Sequence, residues 1–88
     1  MIDFKVEIKK SVEKELINLP KDYVDTITFK IKSLSKNPFP ERNKKLKGFE
    51  SLYRIRLGDY RILYTVNTKS KVITIQSINH RKDVYKNL

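Results

Sequence analysis

Five arginines, one histidine and a late tyrosine are the side chains of this 88-residue sequence best suited to chemistry on a charged substrate. The arginines, Arg42, Arg54, Arg56, Arg61 and Arg81, all lie in the second half, while the first forty residues carry only lysine as their basic residue. Lysine solubilises, but the planar guanidinium fork suits bidentate contact with phosphate. Arginine and lysine can also neutralise charge that develops on a phosphate during transfer, a contribution often larger than acid/base assistance. Tyr85, four residues beyond Arg81, adds a hydroxyl able to accept or donate a proton. The commoner role for such a tyrosine is to close a core edge or stack on a partner. His80 is the single histidine, so paired-histidine acid/base catalysis within one chain is excluded, and the residue is a secondary candidate.

Other chemistries lack their parts. There is no cysteine, hence no disulfide, no thiolate zinc site and no cysteine nucleophile. The acids are dispersed, which gives no metal cluster. Two glycines, Gly48 and Gly58, cannot build a glycine-rich phosphate cradle, and no P-loop, dinucleotide fingerprint, HExxH or GxSxG motif occurs. No cofactor is expected.

The net charge is +10 and unevenly placed: residues 1–40 carry eight Lys against six acids, and residues 41–88 carry twelve Lys or Arg against four. Nucleic acid is the first partner class this implies, with an acidic protein second. No lipid-anchor motif, signal-peptide core or membrane-length apolar run appears, so a membrane partner is not expected and the default compartment is the cytoplasm.

The arginines need a scaffold, and LYRIRLGDYRILYTV (52–66) supplies one. Two runs rich in β-branched and aromatic residues flank Gly58-Asp59, a two-residue hairpin signal in which glycine provides the positive φ. With that loop, Leu57 opposes Tyr60, Arg56 opposes Arg61, Ile55 opposes Ile62, Arg54 opposes Leu63 and Tyr53 opposes Tyr64. One face then carries Tyr53, Ile55, Leu57, Tyr60, Ile62 and Tyr64 as core. The other gathers Arg54, Arg56 and Arg61 beside Leu52 and Leu63. Like charges directly opposite each other destabilise a sheet, so Arg56 across from Arg61 points to an anionic partner. A solvated sheet face is the bland alternative, but such faces mix signs, whereas residues 51–88 hold eight Lys or Arg against Asp59 and Asp83.

The remaining chain is read from its periods. IDFKVEI alternates Ile2, Phe4, Val6 and Ile8 with polar residues, which predicts an opening strand. Val12, Leu16 and Leu19 recur at helical spacing up to Pro20, and Tyr23, Ile27, Ile31 and Leu34 do so before Asn37-Pro38, which predicts a helical hairpin. NPFPERNKKLKG is expected as a loop, NTKSK as a connection and KVITIQSI as a third strand of the meander. The alternation of that last strand is blurred: Val72, Ile73, Ile75 and Ile78 do not fall on one face, which leaves its register open. The tail NHRKDVYKNL suits a final turn or short helix. The fold class is α+β in one domain spanning 1–88: strand, two helices, then a three-stranded antiparallel meander, with the helices on one sheet face.

The ordered set NKKLKGFESLYRIRLGDYRILYTV and INHRKDVY, after a two-helix half, resembles the RelE toxins of the RelE/ParE superfamily of toxin–antitoxin systems. The likeness spans nearly the whole chain. It implies a ribosome-dependent endoribonuclease that enters the vacant decoding site and cuts messenger RNA by attack of a ribose 2′-hydroxyl on the adjacent phosphate. The ribosome would position the substrate, which suits a protein short of acid/base catalysts. By motif, Arg61 and Arg81 match the phosphate-stabilising arginines and Tyr85 the residue that activates or orients the 2′-hydroxyl. Arg54 and Arg56 stand where the family holds RNA and assists charge transfer, with Arg54 also counted as catalytic. Lys47 stands at another basic position, and Lys45 and Lys82 would add RNA contact.

The implied partners are a cognate RelB-like antitoxin, the ribosome and its messenger RNA, with operator DNA bound only indirectly through the antitoxin. Two features depart from the family pattern: only Lys86, Asn87 and Leu88 follow Tyr85, where known toxins continue into a C-terminal helix, and Glu50 does not match the acid of branches that pair Glu with His. A ParE-like toxin of the same fold, inhibiting DNA gyrase without cutting RNA, is the alternative. A non-enzymatic RNA- or ribosome-binding module is a further one.

Overall fold

The computed structural model describes residues 3–40 and 52–80 in full and residues 44–45 as backbone. In chain order the elements are β1 (Lys5–Ile8), α1 (Lys10–Ile17), α2 (Lys21–Ser33), β2 (Lys44–Lys45), β3 (Leu52–Leu57), β4 (Tyr60–Asn67) and β5 (Val72–His80). The strands form one sheet in the order β1-β5-β4-β3-β2. All neighbours are antiparallel except β1, which runs parallel to β5 with Val6 opposite Ile73 and Ile8 opposite Ile75. That parallel pairing requires a crossover, and the helical hairpin is part of it.

The hairpin register is the one its alternation dictates. Leu57 pairs with Tyr60, Arg56 with Arg61, Ile55 with Ile62, Arg54 with Leu63 and Tyr53 with Tyr64. Gly58 adopts φ 57°, as the tight turn requires. The inward parity is dry: Ile55, Ile62 and Tyr64 are at most 1% exposed. They meet Val12 of α1, Ile27 and Ile31 of α2, and Leu34 just beyond α2, all buried in the same cluster with Ile73, Ile75 and Ile78 of β5. No polar side chain is buried among the described residues.

β5 explains its own blurred pattern. Leu63 pairs with Ser77 but Tyr64 pairs with Ile75, so Gln76 is an extra residue, a β-bulge. The bulge shifts the phase by one, which lets Ile73, Ile75 and Ile78 all reach the core although their spacing breaks a period of two. The Gln76 amide spends its donor on the Thr65 hydroxyl, 3.1 Å away.

Two other expectations are adjusted. α2 ends at Ser33 and continues as a tighter turn of i→i−3 bonds, Leu34 to Ile31 (3.2 Å), Ser35 to Lys32 (3.2 Å) and Lys36 to Ser33 (3.3 Å), before the Asn37-Pro38 stop. Within the segment expected as a loop, Lys44–Lys45 forms a short edge strand on β3. The residues after it fixed no such pairing in the sequence, because two residues are too few to show a period.

Aromatic contacts tie the loop after α2 to the sheet. Phe39 meets Tyr53 edge-on at 5.0 Å between centroids, Tyr53 stacks on Tyr64 at 5.8 Å, and the Tyr64 hydroxyl donates to the Pro38 carbonyl at 2.9 Å. At the hairpin tip Tyr23 of α2 packs on Tyr60 at 4.7 Å, and lies 3.7 Å from where a β-carbon at Gly58 would stand.

Candidate nucleic-acid interface

Because directly paired residues share a face, the register assembles the outer surface of the sheet row by row. Arg56, Arg61 and Asn79 form one row across β3, β4 and β5, and Arg54, Leu63 and Ser77 form the next. Arg56 is exposed, and Arg54, Arg61 and Leu63 are half-buried, with Leu63 directly opposite Arg54 and two residues along β4 from Arg61. None of the three guanidiniums has an ion-pair partner among the described residues; the ion pair on this side of the molecule is Lys5 with Glu7, 3.7 Å, out on β1. Three uncompensated cations on a shallow sheet can hold a polyanion and stabilise added charge on one of its phosphates.

The sequence candidates divide into three groups. Arg54, Arg56 and Arg61 are brought together. His80 is not with them: it pairs with Tyr60, a core-face residue, and its ring meets the Tyr60 ring edge-on at 4.9 Å. It therefore sits on the helix side, at a cleft of about 470 Å³ that Glu15, Asn18, Leu19, Tyr60 and Ile78 also line and that Asn79 borders at the end of β5, and there the Ile78 N–H approaches a Glu15 carboxylate oxygen at 3.5 Å. Lys45 is described only in its backbone, which lies opposite Tyr53, while Lys44 lies opposite Arg54. Lys47, Arg81, Lys82 and Tyr85 fall outside the described residues, as does the tail expected to form a turn or short helix. β5 ends at His80, directly before Arg81 in the chain.

Sequence reasoning missed two members of the arginine face. Ser77 and Asn79 could be assigned to it only once β5 had a register, and the bulge at Gln76 hid that register. The faint signal was the pair Ser77 and Asn79 itself, two polar residues spaced by two and flanking an isoleucine.

A small sheet with a helical hairpin on one face is a fold found in the toxins of solved toxin–antitoxin complexes. Residues 6–85 match the family described as ParE toxin of type II toxin-antitoxin system, parDE. The RelE1 protein of Methanocaldococcus jannaschii is 38% identical over 87 residues, covering 96% of this chain and 97% of that protein. Among solved structures, an archaeal RelE–RelB complex from Pyrococcus horikoshii OT3 superposes with a TM-score of 0.82 at 40% identity, covering 92% of this chain and 97% of that one. A RelB–RelE antitoxin–toxin complex from Methanococcus jannaschii gives 0.76 at 29% identity, over 93% and 98%. The chain belongs to the RelE/ParE family of type II toxin–antitoxin toxins and is of the RelE type.

Proposed function

We propose that this toxin is a ribosome-dependent endoribonuclease, an mRNA interferase that cuts messenger RNA in the decoding site and so stops translation. The observation that carries this reading is the trio Arg54, Arg56 and Arg61 on one sheet face, without an ion-pair partner among the described residues, with Arg56 set directly against Arg61 at a cost to folding. In the proposed reaction a ribose 2′-oxygen loses its proton and attacks the adjacent phosphorus. The bond from phosphorus to the 5′-oxygen of the next nucleotide breaks, and that oxygen takes a proton from water, leaving a 2′,3′-cyclic phosphate and a 5′-hydroxyl. Arg61 and, by its motif, Arg81 neutralise the charge gathering on the non-bridging oxygens. Tyr85 takes or orients the 2′-hydroxyl proton. Arg54 assists charge neutralisation and, with Arg56, Lys47 and Lys82, holds the RNA, while Lys45, whose backbone pairs with the core-face residue Tyr53, is left out of the set. His80, on the other side of the sheet next to Tyr60, supports the end of β5 in this scheme and takes no proton.

The partners proposed are the ribosome with its message and a RelB-like antitoxin, since relatives of this fold are found in RelE–RelB complexes. A basic face of this kind suits an acidic or amphipathic antitoxin segment. Among the described residues no helix is long and apolar enough to cross a membrane.

The test is cleavage-site mapping by primer extension on a defined message, with and without ribosomes stalled over an empty decoding site. Cuts inside the exposed codon that require the ribosome are the expected result. Intact message under both conditions, from folded and antitoxin-free protein, would sink the RNase reading. The match to the ParE description makes inhibition of DNA gyrase the second reading, and a supercoiling assay decides it.

A further inference from the structure

The row through Arg56 and Arg61 has a third member that carries no charge. Asn79 stands directly opposite Arg61, and its side-chain nitrogen donates to the Ser77 hydroxyl oxygen at 3.1 Å. Both residues are half-buried, and the two-residue spacing keeps them on the same face. This contact fixes the amide plane while using one of its two N–H groups. The other N–H and the carbonyl oxygen have no partner among the described residues, so the amide presents an adjacent donor and acceptor in a set orientation.

Guanidinium and amide offer different things to a nucleotide. A guanidinium attracts phosphate whatever base is attached, and positions without reading sequence. An amide gains little from a bare charge, but its donor–acceptor pair matches a base edge, with adenine N6 and N7 the commonest fit. Single-stranded RNA leaves such edges open. Directly opposite side chains start roughly 4.5–5.5 Å apart at their β-carbons, close enough for one nucleotide to rest its phosphate on one and turn its base to the other.

We propose that Asn79, held in place by Ser77, is a specificity-determining residue that reads the base of the nucleotide whose phosphate lies on Arg61. The proposal rests on the reading of the arginine face as an RNA site. Sequence preference then arises in the toxin from an uncharged pair on β5, while the arginines of β3 and β4 supply affinity and charge neutralisation.

The experiment compares wild type, Asn79→Ala, Asn79→Gln and Ser77→Ala on stalled ribosomes carrying messages with each of the four bases at each position of the exposed codon. The quantity measured is the ratio of cleavage rates between best and worst base. In Asn79→Ala that ratio should collapse by roughly tenfold at one codon position and stay unchanged at the others. Asn79→Gln, which keeps the amide, should restore part of it, and Ser77→Ala should lose part. A purely structural Asn79 would scale all rates together, and a base profile in Asn79→Ala that superimposes on wild type overturns the proposal.

A second arm separates this failure from that of the RNase reading. Fluorescence anisotropy of labelled short single-stranded RNAs, identical except for one base, is measured on antitoxin-free protein without ribosomes. If wild type cuts nothing but binds these RNAs with a base preference that Asn79→Ala erases, the reading role stands and the enzyme reading falls. Equal binding of all four by wild type, with no base preference in cleavage, overturns the role of Asn79. Melting curves confirm that each variant is folded.

Discussion

Arg61 and Ile62 are neighbours in β4, yet they belong to surfaces that obey different rules. On the helix side the buried side chains among the described residues are apolar or aromatic, and Ile62 is wholly buried. On the other side Arg61 is half-buried, faces Arg56 across the hairpin, and has no ion-pair partner among the described residues. The inner face is arranged for folding. The outer face gives up a little of that stability to keep cations close together. Alternation along one strand thus separates the two demands, so that each can be altered without the other.

The contrast is sharpest under substitution. Ile62→Asp places a carboxylate in the dry cluster with no partner, and the domain is expected to be unfolded by circular dichroism at 25 °C; a native spectrum would mean the core opens more easily than its burial implies. One residue away, Arg61→Ala should lower ribosome-dependent cleavage by about 10²–10³-fold, the scale for loss of one charge-stabilising donor. Its melting temperature should match or exceed that of wild type, because a like-charge pair is relieved. A fall in stability would show that Arg61 belongs to the folding side of the comparison.

A charge reversal separates the two demands within one residue. Arg56→Glu creates an opposite-charge pair across the hairpin and should raise stability by about 0.2–1 kcal/mol in urea unfolding. The same change should weaken RNA binding and reduce the salt slope of its affinity by about one or more, as a phosphate contact is lost. Binding unchanged in salt dependence would remove Arg56 from the interface. The smallest effect on function is expected of Tyr64→Phe, which deletes the hydroxyl bonded to the Pro38 carbonyl: about 0.5–1.5 kcal/mol of stability is lost, with cleavage by the folded fraction unaltered.

How much of this was legible in the sequence follows from the same alternation. The β3–β4 register could be read pair by pair, because Gly58-Asp59 sets the turn and both strands keep an unbroken period of two. Val12, Ile27, Ile31 and Leu34 could be placed in the core from helical spacing. The parallel placement of β1 beside β5 could not, since a period reveals faces and not neighbours. His80 carried the chemistry of a site residue, but only its pairing with Tyr60 reveals that it lies on the far side of the sheet from the arginines. Ser77 and Asn79 were hidden by the bulge.

That bulge also decides which deletions the gene can tolerate in β5. From Ile78 backwards, strict alternation would turn Gln76 inward and Ile75 outward; the extra residue at position 76 is what cancels this. Loss of the Gln76 codon would leave Ile73, Thr74, Ile75, Ser77 and Ile78 in perfect alternation, with the inside and outside of the strand unchanged. Loss of the Thr74 or Ile75 codon would leave the register two ways to recover, burying the glutamine or exposing an isoleucine. Within the middle of the strand the Gln76 codon is therefore the tolerated gap, and length variation there among relatives of this chain should collect at it.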